Sequence, residues 1–231
     1  MTLSTDLATS VAPLLDVQNL NAWYGNAQVL FDARLYVHSG EVVALIGANG
    51  AGKSSTLKAI MGLIPRRTGS MIFAGHDISR TQPYIAARLG LGYVPEDRRI
   101  FTDLTVLENL QIGAKASRQQ NDSNKASPLT LEHMFSLFPN LASMQKRRAS
   151  HMSGGEQQML TVARTLMGNP KLVLLDEPSE GVAPVIVEQM GEMIMKLKNL
   201  GVSVLLSEQN AHFAQWVSDR SYSLDQGVIS L

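Results

Sequence analysis

The sequence predicts an α/β protein built on a parallel sheet, with an antiparallel β-region ahead of it and a helical region inserted within it. Three observations carry this. Residues Val42–Ile46, 172–175 and 202–206 are continuously apolar, as strands covered on both faces are. Helical patterns separate them, so each strand has a crossover to bring the next one in parallel. Residues 29–37 instead alternate, with Val29, Phe31, Ala33, Leu35 and Val37 on one face and Asp32, Arg34 and Tyr36 on the other. That is the mark of a half-buried antiparallel strand.

The elements follow in order. Residues 14–20 and 29–37 read as strands. Val42–Ile46 enters a glycine-rich loop, and a helix runs from about Ser54 to Met61. Residues 71–74 form another strand, with a turn at Gly75, His76 and Asp77. Residues 91–94 are a short strand stopped by Pro95. Thr105 and Glu108 make a capping box that opens a helix. Residues 113–130 are polar and read as an exposed connection inside a helical region. Leu131, Met134, Phe135 and Phe138 recur at helical spacing and read as core. Ser153 starts a helix whose apolar positions are Met159, Leu160, Ala163, Leu166 and Met167; Gly168, Asn169 and Pro170 end it.

Composition narrows the function classes. The 231 residues carry 20 Lys plus Arg and 20 Asp plus Glu, a net charge of zero, which argues against nucleic acid as the main partner. Hydrophobic residues at 45% argue against a disordered chain. Charged residues are 17%, against a norm of about 25%, which points to surface covered by partners, with a large core as the weaker reading. Cysteine is absent, so neither a disulfide nor a thiolate metal site is available. No apolar run reaches the ~18 residues of a membrane span. Residues 1–13 lack a basic and an apolar signal region and read as a loose tail.

Residues 47–54, GANGAGKS, match G-x-x-x-x-G-K-[ST]. Gly47, Gly50 and Gly52, with Asn49 between them, let backbone N–H groups turn toward phosphate. The following helix adds its positive end, carrying Ser54 and Ser55. Lys53 reaches the outer phosphates of a nucleotide, and the Ser54 hydroxyl can ligate magnesium. A buried strand enters the loop and a helix leaves it, which is the context the motif requires.

The strand at 172–175 ends in Asp176, Glu177 and Pro178. Ligands of a parallel sheet sit at the carboxyl ends of its strands, so both acids belong beside the phosphate loop. Adjacent strand residues point opposite ways and can divide labour. Asp176 would hold the magnesium shell, and Glu177 would orient and deprotonate an attacking water.

Residues 152–157 read MSGGEQ. Ser153 and Glu156 make a capping box. Gly154 and Gly155 are costly inside a helix, so something needs their amides bare. The phosphate of a second molecule is the fitting ligand.

At this point the chain resembles the ABC-transporter ATPases. GANGAGKS looks like their Walker A loop, LVLLDE like their Walker B strand with its catalytic glutamate, and SGGEQ like their signature motif, departing from the commonest form at Met152 and Glu156. The resemblance covers residues 14–231. It implies a P-loop NTPase (RecA-like) core, an ATPase domain over 14–231 and an inserted helical subdomain over about 94–170 that docks on membrane subunits. It also implies ATP and Mg2+, with ATP sandwiched between the Walker A loop of one subunit and the signature of a second.

Further positions are implied one at a time. Tyr24 stands where the family stacks an aromatic on adenine, with Trp23 a rival. Glu96, in GYVPE, stands at the Q-loop position that touches magnesium and couples to the membrane subunit, where glutamine is common. Ala183 replaces the usual D-loop aspartate. Gln209, in SEQN, stands at the switch-histidine position, contacting the γ-phosphate without taking up a proton. His212 lies three residues too late and reads as a surface residue.

These departures together resemble the LivF-type ATPase of branched-chain amino-acid importers. The implied protein is a Mg-dependent ATPase paired with a second ATPase subunit, identical or different. It would sit on two permeases and, through them, serve a solute-binding protein at the cytoplasmic face of a bacterial inner membrane. Alternatives are a urea or short-amide importer and an ABC ATPase outside transport.

Overall fold

The computed structural model describes residues 12–117 and 129–230. The expected tail, residues 1–13, lies outside them apart from Ala12 and Pro13. Two sheets organise the chain. Strands β1 (Leu15–Tyr24), β2 (Ala27–Val37), β4 (Arg66–Phe73) and β5 (His76–Asp77) form an antiparallel sheet in the order β2-β1-β4-β5. Strands β3 (Val42–Ile46), β6 (Leu91–Val94), β7 (Leu172–Asp176), β8 (Ser203–Glu208), β9 (Arg220–Asp225) and β10 (Val228–Ser230) form the other, in the order β10-β9-β3-β8-β7-β6. From β9 to β6 it is parallel throughout; only the β9–β10 hairpin is antiparallel.

The parallel strands alternate between two cores, which is why they read as unbroken apolar runs. Val43, Leu45, Leu172, Leu174 and Leu205 face the antiparallel sheet and helix α1 (Lys53–Met61). Val42, Ala44, Val173, Leu175, Val204 and Leu206 face the opposite way. That side is covered by α6 (Gly154–Leu166), α7 (Pro184–Asn199) and α8 (Ala211–Val217). The inserted helical layer is α3 (Val106–Ser117), α4 (Leu131–Leu137) and α5 (Pro139–Ser143). It joins the same core through Val106, Leu110, Met134, Phe138 and Leu141, all buried. The short helix α2 (Pro83–Leu89) precedes β6.

Two expectations are corrected. Along β2 the alternation holds for Ala33, Leu35 and Val37 but not before them: Leu30 is buried and Phe31 is 42% exposed. The cause is a bulge. Asp32 has a φ of 45°, and the pairing shifts from Leu20↔Ala33 to Ala22↔Leu30, so the inward face changes parity. Residues 113–117, read as part of an exposed connection, are the last turns of α3, where Ala114 packs on the core. Of that connection, residues 118–128 lie outside the described residues.

Candidate nucleotide site

Parallel register assembles the site. Ile46 pairs with Glu208, Asp176 with Ser207 and Val94 with Leu175. The strands β3, β8, β7 and β6 therefore end together, and the loops holding Gly47, Gln209, Glu177 and Glu96 leave from one edge of the sheet.

The phosphate loop is held by its own lysine and by a distant hairpin. Gly52, with a φ of 111°, takes a backbone that only glycine adopts freely, and from it α1 begins. Lys53 is 3% exposed; its Nζ donates to the Gly47 and Ala48 carbonyls at 2.9 and 3.0 Å. The same ammonium pairs with Glu177 Oε1 at 3.0 Å. The β9–β10 turn closes on the loop: Gly227 N–H donates to the Ala51 carbonyl at 2.8 Å, and Phe31 N–H to the Gly227 carbonyl at 2.9 Å.

A cleft of about 400 Å³ results, lined by Gly50, Gly52, Lys53, Ser54, Ser55 and Glu177. Its far wall, Gln28, Val29, Phe31, Gln226 and Gly227, was not legible in the sequence. Nothing in the sequence says that the turn at Gln226 and Gly227 folds against residue 51.

Asp176 is 1% exposed and accepts hydrogen bonds from the Ser207 hydroxyl at 2.8 Å and the Tyr93 hydroxyl at 3.0 Å. Burial, then the Asp176 charge, pushes the Tyr93 hydroxyl pKa far up, so tyrosine stays a donor. Glu177 has a left-handed φ of 47°, a strained conformation fixed by its N–H donating to the Ser207 carbonyl and hydroxyl, each at 3.1 Å. Burial pushes the Glu177 carboxyl up; the hydrogen bond with Glu180 and the ion pair with Lys53 outweigh this and hold it below its usual range. Glu180, sharing that hydrogen bond and facing the Glu177 charge, is pushed up to about 7. The Glu96 charge also raises Glu180; their loops leave the paired neighbouring strands β6 and β7.

The remaining expected residues lie outside the cleft lining. Gly47 and Asn49 belong to the loop's own backbone, and Glu96 and Gln209 are exposed on loops at the sheet edge. Tyr24 ends β1 and is 49% exposed, whereas Trp23 is covered by Arg66 at 4.9 Å. Of the two candidates, Tyr24 is the more exposed.

The segment Ser153 to Glu156 forms a separate surface at the start of α6. Glu156 Oε2 accepts the Ser153 N–H at 2.7 Å and the Ser153 hydroxyl accepts the Glu156 N–H at 3.3 Å, completing the capping box. Gly155 also has a packing reason that the sequence hid: a Cβ there would lie 2.7 Å from Ile186 Cγ1 on α7, whereas one at Gly154 would meet only the movable guanidinium end of Arg98.

A larger groove, about 640 Å³, holds no part of the phosphate loop. It runs between α2, β6, α3 and α6, and Leu63, Tyr84, Phe101 and Ile112 at its mouth are each more than a third exposed. Pro95, next to Glu96, lines it.

The profile of the ABC transporter family matches residues 30–180, which is more than half of the chain. The chain belongs to the ABC transporter ATPase family. It is an ATPase whose hydrolysis is coupled to transport, and ATPases of this family work as dimers with transmembrane permease components.

The relatives are similar over nearly their whole length. The high-affinity branched-chain amino acid transport ATP-binding protein BraG of Pseudomonas aeruginosa is 41% identical, covering 94% of this chain and 91% of its own. The probable branched-chain amino acid transport ATP-binding protein LivF of Archaeoglobus fulgidus is 34% identical (94% and 90%). The lipopolysaccharide export system ATP-binding protein LptB of Escherichia coli K12 is 36% identical (92% and 87%). Among solved structures, an ATP-binding cassette of an ABC transporter in its ADP conformation superposes with a TM-score of 0.79 at 27% identity, covering 95% of this chain and 90% of its own. Among the described residues no helix is long and apolar enough to cross a membrane.

Proposed function

We propose that the chain powers uptake of branched-chain amino acids, as one of two ATPase subunits on a pair of permeases at the cytoplasmic face of a bacterial cell membrane. The observation that carries this is the 41% identity to BraG across nearly the whole of both chains. A solute-binding protein would deliver the cargo to the permeases. Export of lipopolysaccharide is the second reading, favoured by the LptB similarity.

In this reading the phosphates of ATP lie along Gly47, Asn49, Gly50, Gly52, Lys53, Ser54 and Ser55, with Tyr24 against adenine. Lys53 exchanges Glu177 for phosphate oxygens, which frees the Glu177 carboxylate. The freed carboxylate can then accept the proton of an attacking water. Gln209 donates its amide to the γ-phosphate. Residues 153–156 close on the nucleotide of the second subunit.

Magnesium fits the donor set. The described residues hold no group of three or more His, Cys, Asp or Glu that could form a protein cage. A magnesium ion borne by nucleotide phosphates needs only one or two protein oxygens. Ser54 and Asp176 would supply them, with Glu96 nearby; the bound ion would neutralise phosphate charge. The span 94–170 is the docking subdomain, and the apolar groove beside Pro95 takes the permease segment.

Reconstitution tests the assignment. The chain is co-expressed with candidate permeases in proteoliposomes. Turnover stimulated by a leucine-loaded binding protein supports import; stimulation by lipopolysaccharide in place of amino acid supports the second reading.

A further inference from the structure

Glu208 is a buried carboxylate at the end of β8 that the reaction above does not use. It is 2% exposed. A carboxylate so deep is unfavourable unless donors meet its oxygens. Oε1 accepts the Ser179 N–H at 3.0 Å; Oε2 accepts the Ser179 hydroxyl at 2.9 Å and the Asn210 N–H at 3.4 Å. Its main-chain carbonyl accepts the Gly47 N–H at 3.3 Å. Ser179 lies two residues past Glu177, Asn210 directly follows Gln209, and Gly47 opens the phosphate loop. One residue therefore bonds to three of the four loops that carry the candidate chemistry. Its neighbour Ser207 is buried and polar, and Leu205 and Leu206 before it are buried and apolar, so Glu208 is the one charged side chain of β8.

We propose that Glu208 is a positioning residue for hydrolysis: its carboxylate ties the loop after Glu177 to the Gln209 segment and fixes their separation across the γ-phosphate. The inference rests on the roles given above to Glu177 and Gln209. Glu208 itself touches no substrate; it acts through Ser179 and Asn210. Glutamine at 208 keeps an acceptor for the Ser179 N–H and an amide to donate to the Ser179 hydroxyl. It lacks the acceptor for Asn210. Alanine loses all three bonds.

The test compares wild type with Glu208→Ala, Glu208→Gln, Ser179→Ala and the double Ser179→Ala/Glu208→Ala, as full chains in the assembled complex with Mg-ATP. A shift of about 1 Å in catalytic geometry costs on the order of 100-fold in rate. Glu208→Ala should therefore lose about 100-fold in kcat while KM for ATP stays within about twofold. Glu208→Gln should recover part of the loss, and the double variant should be no slower than Glu208→Ala, because both changes break one tie. Wild-type kcat in Glu208→Ala, a loss expressed in KM, or multiplying single effects would each overturn the proposal. Should Glu208→Ala fail to fold, the same non-additivity is read between Ser179→Ala and Glu208→Gln. Glu177→Gln run in parallel separates the two levels: if it keeps turnover, the role of Glu177 falls; if it is dead while Glu208→Ala is not, only the tie falls.

Discussion

The phosphate loop and the start of α6 use the same local device, glycines leading into a helix N-terminus, and the rest of the chain treats them differently. Around the phosphate loop, distant elements converge: Glu177 from the end of β7, Gly227 from the β9–β10 turn and Phe31 from β2. Lys53 is buried as a result. At α6 the polar groups are met only locally, by the capping box between Ser153 and Glu156, and Ser153 is exposed. The tertiary contacts there come from beneath, through Ile186 and Arg98. A helix N-terminus becomes a walled cleft only where other elements supply the walls. One left open can be completed only by another molecule, which agrees with a site shared between two subunits.

The sharpest way to break this comparison is at Glu177. Glu177→Gln should bind ATP and lose about 10²–10⁴-fold in turnover, the range for a general base. Equal turnover of variant and wild type in the assembled complex would remove Glu177 from that role. Next comes Lys53→Ala. Losing a charge-assisted contact to phosphate, worth about 1.5–3 kcal/mol, should weaken ATP binding by about 10- to 150-fold. Titration calorimetry reads this directly, and unchanged affinity would contradict the phosphate-loop assignment.

At the open end the effect should be on packing. Gly155→Ala places a methyl against Ile186 and should destabilise by about 1–3 kcal/mol. Combined with Ile186→Ala, which removes the Cγ1 that the methyl meets, the two costs should be less than additive in a denaturant titration. An unaffected Gly155→Ala would mean that α7 yields freely and that the glycine serves only the exposed amides.

The smallest effect is a pH dependence on the walled side. Glu180 is raised from 4.5 to about 7, so the folded state favours its protonated form. Its stabilising contribution is full below pH 4.5 and is lost as pH rises through about 7. Glu180 is exposed, so solvent screens much of this. Glu208, also raised, adds a change of the same sign. Glu180→Gln should flatten the fall in thermal midpoint across that window without abolishing it; an unchanged profile would rule out the shared proton with Glu177.

Much of the fold was legible because its signals are local. Continuous apolar runs marked β3, β7 and β8, and the boxes Thr105–Glu108 and Ser153–Glu156 placed two helix starts within a residue. The bulge in β2 was not legible. Val29 and Phe31 fit an inward face as well as Leu30 does, and only pairing with β1 decides between them. Nor were the helical residues 113–117, whose polar composition hides a helix fixed by packing.

The sequence by itself determined the parallel sheet, the phosphate loop, the acidic strand end and the glycine pair at α6. Each depends on residue types at short, fixed spacing. Only the tertiary structure decided that Glu177 pairs with Lys53, that Gly227 and Phe31 wall the cleft, and that Glu208 gathers three loops. Those contacts join residues more than a hundred positions apart or depend on which strand lies beside which. The order β9-β3-β8-β7-β6 is set by the packing of two whole cores, and no short stretch of sequence records it.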